Sequence, residues 1–113
     1  METISDRYLR TLDKINTVCM KTGRDTDQVK LVVVTKKQSV DKILEVIQAG
    51  ASNLGENYPE EGYSKLNTIT GHDDIQWHMI GHIQSRKLKY VLEFCNIIHT
   101  IDSHLKLLLG SVY

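Results

Sequence analysis

The sequence predicts an α/β protein in which an N-terminal helix is followed by four βα units around a parallel sheet. Three observations carry this. Short apolar runs alternate with stretches of helical periodicity along the chain. The run Leu31-Val32-Val33-Val34 is aliphatic at every position, as a strand buried on both faces requires. The helical stretches between strands supply the crossovers that carry a chain back to the same end of a sheet, which makes neighbouring strands parallel.

The elements follow in order. Residues 3 to 21 place Ile4, Tyr8, Leu12, Ile15 and Cys19 at steps of three and four with charges between them, one amphipathic helix closed by Gly23. The first strand, Leu31 to Thr35, leads to Ser39 as an N-cap and to Ile43, Leu44 and Ile47 on a helical face that stops at Gly50. Ala51 to Leu54 is the second strand and runs into Gly55-Glu56-Asn57-Tyr58. Pro59, Glu60 and Glu61 suit the first turn of the next helix, which Gly62 weakens. After the polar loop Thr70-Gly71-His72-Asp73-Asp74 comes a third strand, Ile75 to Ile80, stopped by Gly81. Ser85 to Phe94 carries Leu88, Val91 and Leu92 at helical spacing, Asn96 to Ile101 is the fourth strand, and Ser103 caps a last helical piece with Leu105, Leu107, Leu108 and Leu109. Four such units close either as a small doubly wound sheet or as half of an eight-stranded barrel, and periodicity does not choose between them.

At 113 residues the chain fits one domain, residues 1–113, with a core of its own. Fourteen Lys and Arg offset fourteen Asp and Glu, so no global field recruits nucleic acid or an anionic membrane. Cys19 and Cys95 are far apart among apolar neighbours and read as buried thiols of a reducing compartment. Residues Met1 to Arg7 show no apolar core of signal-peptide length, and no later stretch suits a bilayer, so a cytoplasmic location is the expectation.

Each strand ends in residues that are polar or lack a side chain: Thr35-Lys36-Lys37, Gly55-Glu56-Asn57, Gly81-His82-Ile83-Gln84-Ser85 and Thr100-Ile101-Asp102-Ser103. In a parallel sheet these segments meet at one rim, the end where ligands bind. A lysine held there and partly desolvated has a lowered pKa, and its neutral amine attacks aldehydes to form a Schiff base. Strand alternation puts Val32, Val34 and Lys36 on one face, and Gln76, His78, Ile80 and His82 on one face. His78 and His82 sit four apart, but the strand pattern and the lack of an HExxH glutamate argue against a metal; a hydrogen-bonded core histidine is the simpler reading of His78. Trp77 is expected to pack outward against helices. There is no GxSxG elbow, P-loop or dinucleotide fingerprint.

Val33-Val34-Thr35-Lys36, Gly55-Glu56-Asn57-Tyr58, Trp77-His78-Met79-Ile80-Gly81-His82-Ile83-Gln84-Ser85 and His99-Thr100-Ile101-Asp102-Ser103 resemble the successive motifs of the pyridoxal phosphate homeostasis proteins, the YggS or PROSC family, which is similar to the N-terminal domain of alanine racemase. The block from Trp77 to Ser85 is the most specific of the four, and the resemblance runs from about residue 4 to residue 104. It implies a (β/α)8 barrel of TIM type binding pyridoxal 5′-phosphate through a Schiff base. By motif position the lysine is Lys36 and not Lys37, with Asn57 and His82 near the cofactor and His78 toward the barrel interior. The family implies a non-catalytic carrier that buffers or delivers the cofactor.

The chain departs from the family pattern in places. Gln38 and Ser39 stand where a second lysine and a proline are usual, and Arg86 where asparagine is common. Family members are about twice this length, and their second half supplies the groups that hold the cofactor's phosphate, hydrogen bonds worth about 1.5–3 kcal/mol each. The expectation is therefore an N-terminal half-barrel, a single domain with its inner face, Val32, Val34 and Ile80 among others, and its sheet edges uncovered. Two alternatives stand beside a cofactor carrier: a non-binding half-barrel that acts only by self-association, and a racemase, which would need an acid or base on the opposite ring face.

Overall fold

A computed structural model describes residues 2–69 and 71–99. The order is α1 (Ile4–Thr22), β1 (Val33–Val34), α2 (Val40–Gln48), β2 (Asn53–Glu56), α3 (Pro59–Thr68), β3 (Gln76–Met79), α4 (Leu88–Phe94) and β4 (Ile97–Ile98), with 3-10 turns at Thr26–Gln28 and Ser85–Lys87. The expected strand end Thr100-Ile101-Asp102-Ser103 and the helical piece from Ser103 lie outside the described residues. Helix α1 begins in a capping box, Thr3 and Asp6 each bonding the other's backbone N–H at 3.0 Å, and ends at Gly23 in the left-handed region. Ser39 caps α2 as expected, its Oγ accepting from Lys42 N–H at 3.3 Å.

All four strands are parallel and lie in the order β1-β2-β3-β4. That order shows strands wound in one direction. A doubly wound sheet reverses direction at a switch point, whereas strands added always on the same side by right-handed crossovers keep their helices on one face. Among the described strands there is no reversal. Leu54, Trp77 and Met79 face the helices and pack with Ile43 and Val46 of α2 and Val91 and Phe94 of α4, all at most 4% exposed. Trp77 meets Phe94 edge-on, with ring centroids 6.4 Å apart, the outward packing its sequence context implied.

One difference from the expected elements has a physical reason. The second strand is Asn53–Glu56 rather than Ala51–Leu54, so Glu56 is a strand residue, completely buried on the helix side. Its charge, which suggests a rim loop, is matched within the fold. Gly62 does not interrupt α3. A Cβ there would stand 2.5 Å from Cζ of Phe94, so the missing side chain is what lets α4 pack against α3. Cys19 is buried, while Cys95 is half-buried and donates its thiol to the Ile97 carbonyl at 2.8 Å. Among the described residues no helix is long and apolar enough to cross a membrane.

Candidate functional site

The carboxyl ends of β1, β2 and β3 lie level at one edge. Val34 pairs with Gly55 and Glu56 with Met79, and beyond them Thr35 N–H donates to Gly55 O at 2.9 Å and Ile80 N–H to Glu56 O at 3.0 Å. Thr35 takes the last buried position of the first strand. The chain then turns, Gln38 N–H closing onto Thr35 O at 3.1 Å, and Lys36 stands exposed in that turn. The desolvation expected of Lys36 is therefore not there, because the turn lifts it off the sheet. Its neighbour differs. Lys37 has φ 58, and its ammonium lies 5.8 Å from the centroid of the Tyr58 ring.

Beneath the turn lies a charge cluster that local sequence pattern did not single out. Lys65 of α3, 8% exposed, reaches both oxygens of Glu56 at 3.1 Å, Glu61 Oε1 at 3.2 Å and the Thr35 carbonyl at 2.5 Å. The Thr35 hydroxyl donates to the other side of the same Glu56 carboxylate. Burial pushes the Glu56 carboxyl above its ordinary range, while the Thr35 and Lys65 hydrogen bonds oppose the shift. Three donors on one ammonium meet acceptors from β1, β2 and α3, so the cluster is satisfied internally. The available signal was the spacing of Glu61 and Lys65, one helical turn apart beside Gly62 on the buried face of α3.

Asn57 and His82 are brought together. Both line a cleft of about 390 Å³, with Tyr58, Gly81, Gln84 and Lys87. Among the described residues, Asn57 Oδ1 is buried and finds no hydrogen-bond partner. A buried acceptor without a partner is costly. Gly81 lets the chain pass close against the Asn57 backbone, since a Cβ on it would fall 2.4 Å from the Asn57 carbonyl oxygen. His82 is exposed at the mouth, and Lys87 is paired with Glu60. Lys36 stands on the same sheet edge but does not line this cleft. A larger cleft of about 410 Å³ between α1, α2 and β1 is floored by Ile4, Tyr8, Leu31, Val33 and Ile43, and does not include Lys36 either.

His78 is the buried, hydrogen-bonded histidine its context suggested. It is 3% exposed, with Nδ1 2.8 Å from His99 Nε2 and Nε2 2.9 Å from Asn53 Oδ1. Burial, then the facing His99 and the nearby Lys30, hold its pKa below the ordinary histidine value. It shares the face opposite the helices, where Val32 and Ile80 close over Gly55.

No family model matches the chain. A pyridoxal phosphate homeostasis protein of Vibrio alginolyticus is 45% identical over 85 residues, 73% of this chain and 36% of that protein. A crystal structure of an unknown protein from Bifidobacterium adolescentis superposes with a TM-score of 0.81 at 30% identity, covering 88% of this chain and 45% of that one. The structure of PipY from Synechococcus elongatus, a COG0325 family member with pyridoxal phosphate bound, gives a TM-score of 0.68 at 27% identity over 87% of this chain and 49% of PipY. The chain thus spans under half the length of the proteins it matches.

Proposed function

We propose that this chain, a member of the pyridoxal phosphate homeostasis family matched over about the N-terminal half of that family's length, binds pyridoxal 5′-phosphate at the rim where β1, β2 and β3 end. In this reading it holds and hands on the cofactor in the cytoplasm and turns over no substrate. The observation that carries the reading is the cleft that Asn57 and His82 line together at the sheet edge where Lys36 emerges. A cleft with convergent polar groups at the carboxyl ends of parallel strands fits a small ligand.

Pyridoxal phosphate supplies an aldehyde, with which a neutral amine condenses with loss of water. Lys36 is the amine for that aldehyde. Of the two adjacent lysines it is the one whose side chain is exposed without an aromatic ring against it, whereas Lys37 lies over Tyr58. Asn57 accepts a hydrogen bond from the bound ligand and His82 closes the same cleft from the end of β3. The unreversed strand order supports a TIM-type (β/α)8 barrel, of which these strands are the first.

Mixing the protein with pyridoxal phosphate, recording its absorption spectrum, reducing with borohydride and mapping the adduct by mass spectrometry tests the assignment. One adduct on Lys36, absent from Lys36→Ala, is expected. Adducts spread over Lys36, Lys37 and surface lysines would overturn it. One observation favours the second reading, self-association of a non-binding half-barrel: Val34, on the face away from the helices, is 46% exposed. A dimer by size exclusion with no Lys36 adduct would support that reading instead.

A further inference from the structure

We propose that Lys65 is a positioning residue for Lys36, its buried ammonium tying the ends of β1 and β2 to α3 so that the Thr35–Gln38 turn presents Lys36 and holds Lys37 against Tyr58. This rests on Lys36 being the aldehyde-reactive amine. Two adjacent lysines would otherwise compete for one aldehyde, and a flexible turn would offer either.

The connection runs through named bonds. Lys65 Nζ bonds the Thr35 carbonyl at 2.5 Å, which is also the acceptor that closes the turn from Gln38 N–H at 3.1 Å. The same ammonium lies 3.2 Å from Glu61 Oε1. Glu61 in turn accepts the Lys37 N–H on both oxygens, at 2.5 and 3.2 Å. That acceptance holds Lys37 at φ 58, a left-handed conformation that a residue with a Cβ avoids unless its surroundings impose it. Release of Glu61 lets Lys37 return to the ordinary backbone regions, and the directions of both lysine side chains change with it. Glu56 and the Thr35 hydroxyl fix Lys65 from the other side, so the turn is referenced to the core of the sheet.

Brief reductive methylation with formaldehyde and borohydride, mapped by mass spectrometry, compares Lys36 with Lys37 without any pyridoxal phosphate. In the unaltered chain Lys36 labels about two- to fivefold faster, the factor an exposed cation–π contact at Lys37 supports. Glu61→Ala and Lys65→Met bring the ratio close to one and remove protection of the Lys37 amide against hydrogen exchange. Glu61→Gln, which keeps an acceptor, preserves both. Should Lys65→Met fail to fold, Lys65→Met combined with Glu56→Gln removes both buried charges and carries the same test. A folded Glu61→Ala chain or double variant that keeps the original ratio and protection overturns the proposal, as does equal labelling in the unaltered chain. Selective labelling at Lys36 with no pyridoxal phosphate adduct overturns the cofactor reading and leaves the positioning intact.

Discussion

The two faces of the sheet are built on different terms. On the helix side, Leu54, Glu56, Trp77 and Met79 are all 3% exposed or less, and the single charged residue among them is neutralised and fully bonded. On the other side, Val34 is 46% exposed, Gln76 is open to solvent, and the buried His78 bonds to His99 and Asn53. The helix side therefore holds the fold together, while the rim above it carries polar groups, Lys36, Asn57 and His82 among them. Stability and chemistry are separated across one thin layer, and substitutions on the two sides should differ accordingly.

The largest effect should come from Lys65→Met, which strands Glu56 in the core and costs about 3–5 kcal/mol. Chemical denaturation measures it, and a loss under 1 kcal/mol would show the ion pair to be incidental to the helix side. Gly62→Ala comes next: overpacking against Phe94 of about 1–3 kcal/mol outweighs about 1 kcal/mol of gained helix propensity. Phe94→Leu in the same chain should recover much of that loss, and no recovery would mean the glycine serves another purpose. His78 should give a shallower, pH-dependent effect on the opposite face. Its folded pKa lies below the ordinary value of about 6.5, so the unfolded chain takes up a proton that the folded chain refuses. Its contribution to stability is complete above about pH 6.5 and falls as pH drops through that value toward the folded pKa. Denaturant midpoints at pH 7.5 and 5.5 should converge in His78→Leu relative to the unaltered chain. The smallest effect belongs to Val34→Ala, within about 0.5 kcal/mol; a larger loss would show that the exposed face is covered in solution.

Much of the fold was legible because its signals are local. The α1 stripe with Gly23, the Ser39 cap of α2 and Pro59 opening α3 each lie within a few residues of what they determine. The second strand was displaced for the opposite reason. Glu56 looks like a loop residue until its partner Lys65 is seen across the α3–β2 contact, and no short-range pattern announces that pairing. At the rim, the meeting of strand ends and the family resemblance put Asn57 and His82 near each other, and they share a cleft. They could not show that the first strand's hydrogen bonding ends at Thr35, so that Lys36 leaves the sheet on a turn instead of lying partly desolvated along it.

The unreversed strand order also bears on how the chain reaches this state. Every described strand pairs with the next in sequence, Val33 with Leu54, Gly55 with His78 and His78 with Ile97. Each ladder therefore closes a loop of only roughly twenty residues, a modest entropic cost. Such parallel ladders still form more slowly than the helical contacts between them. The short loops allow assembly in the order of synthesis, each βα unit docking on the one before it as it leaves the ribosome.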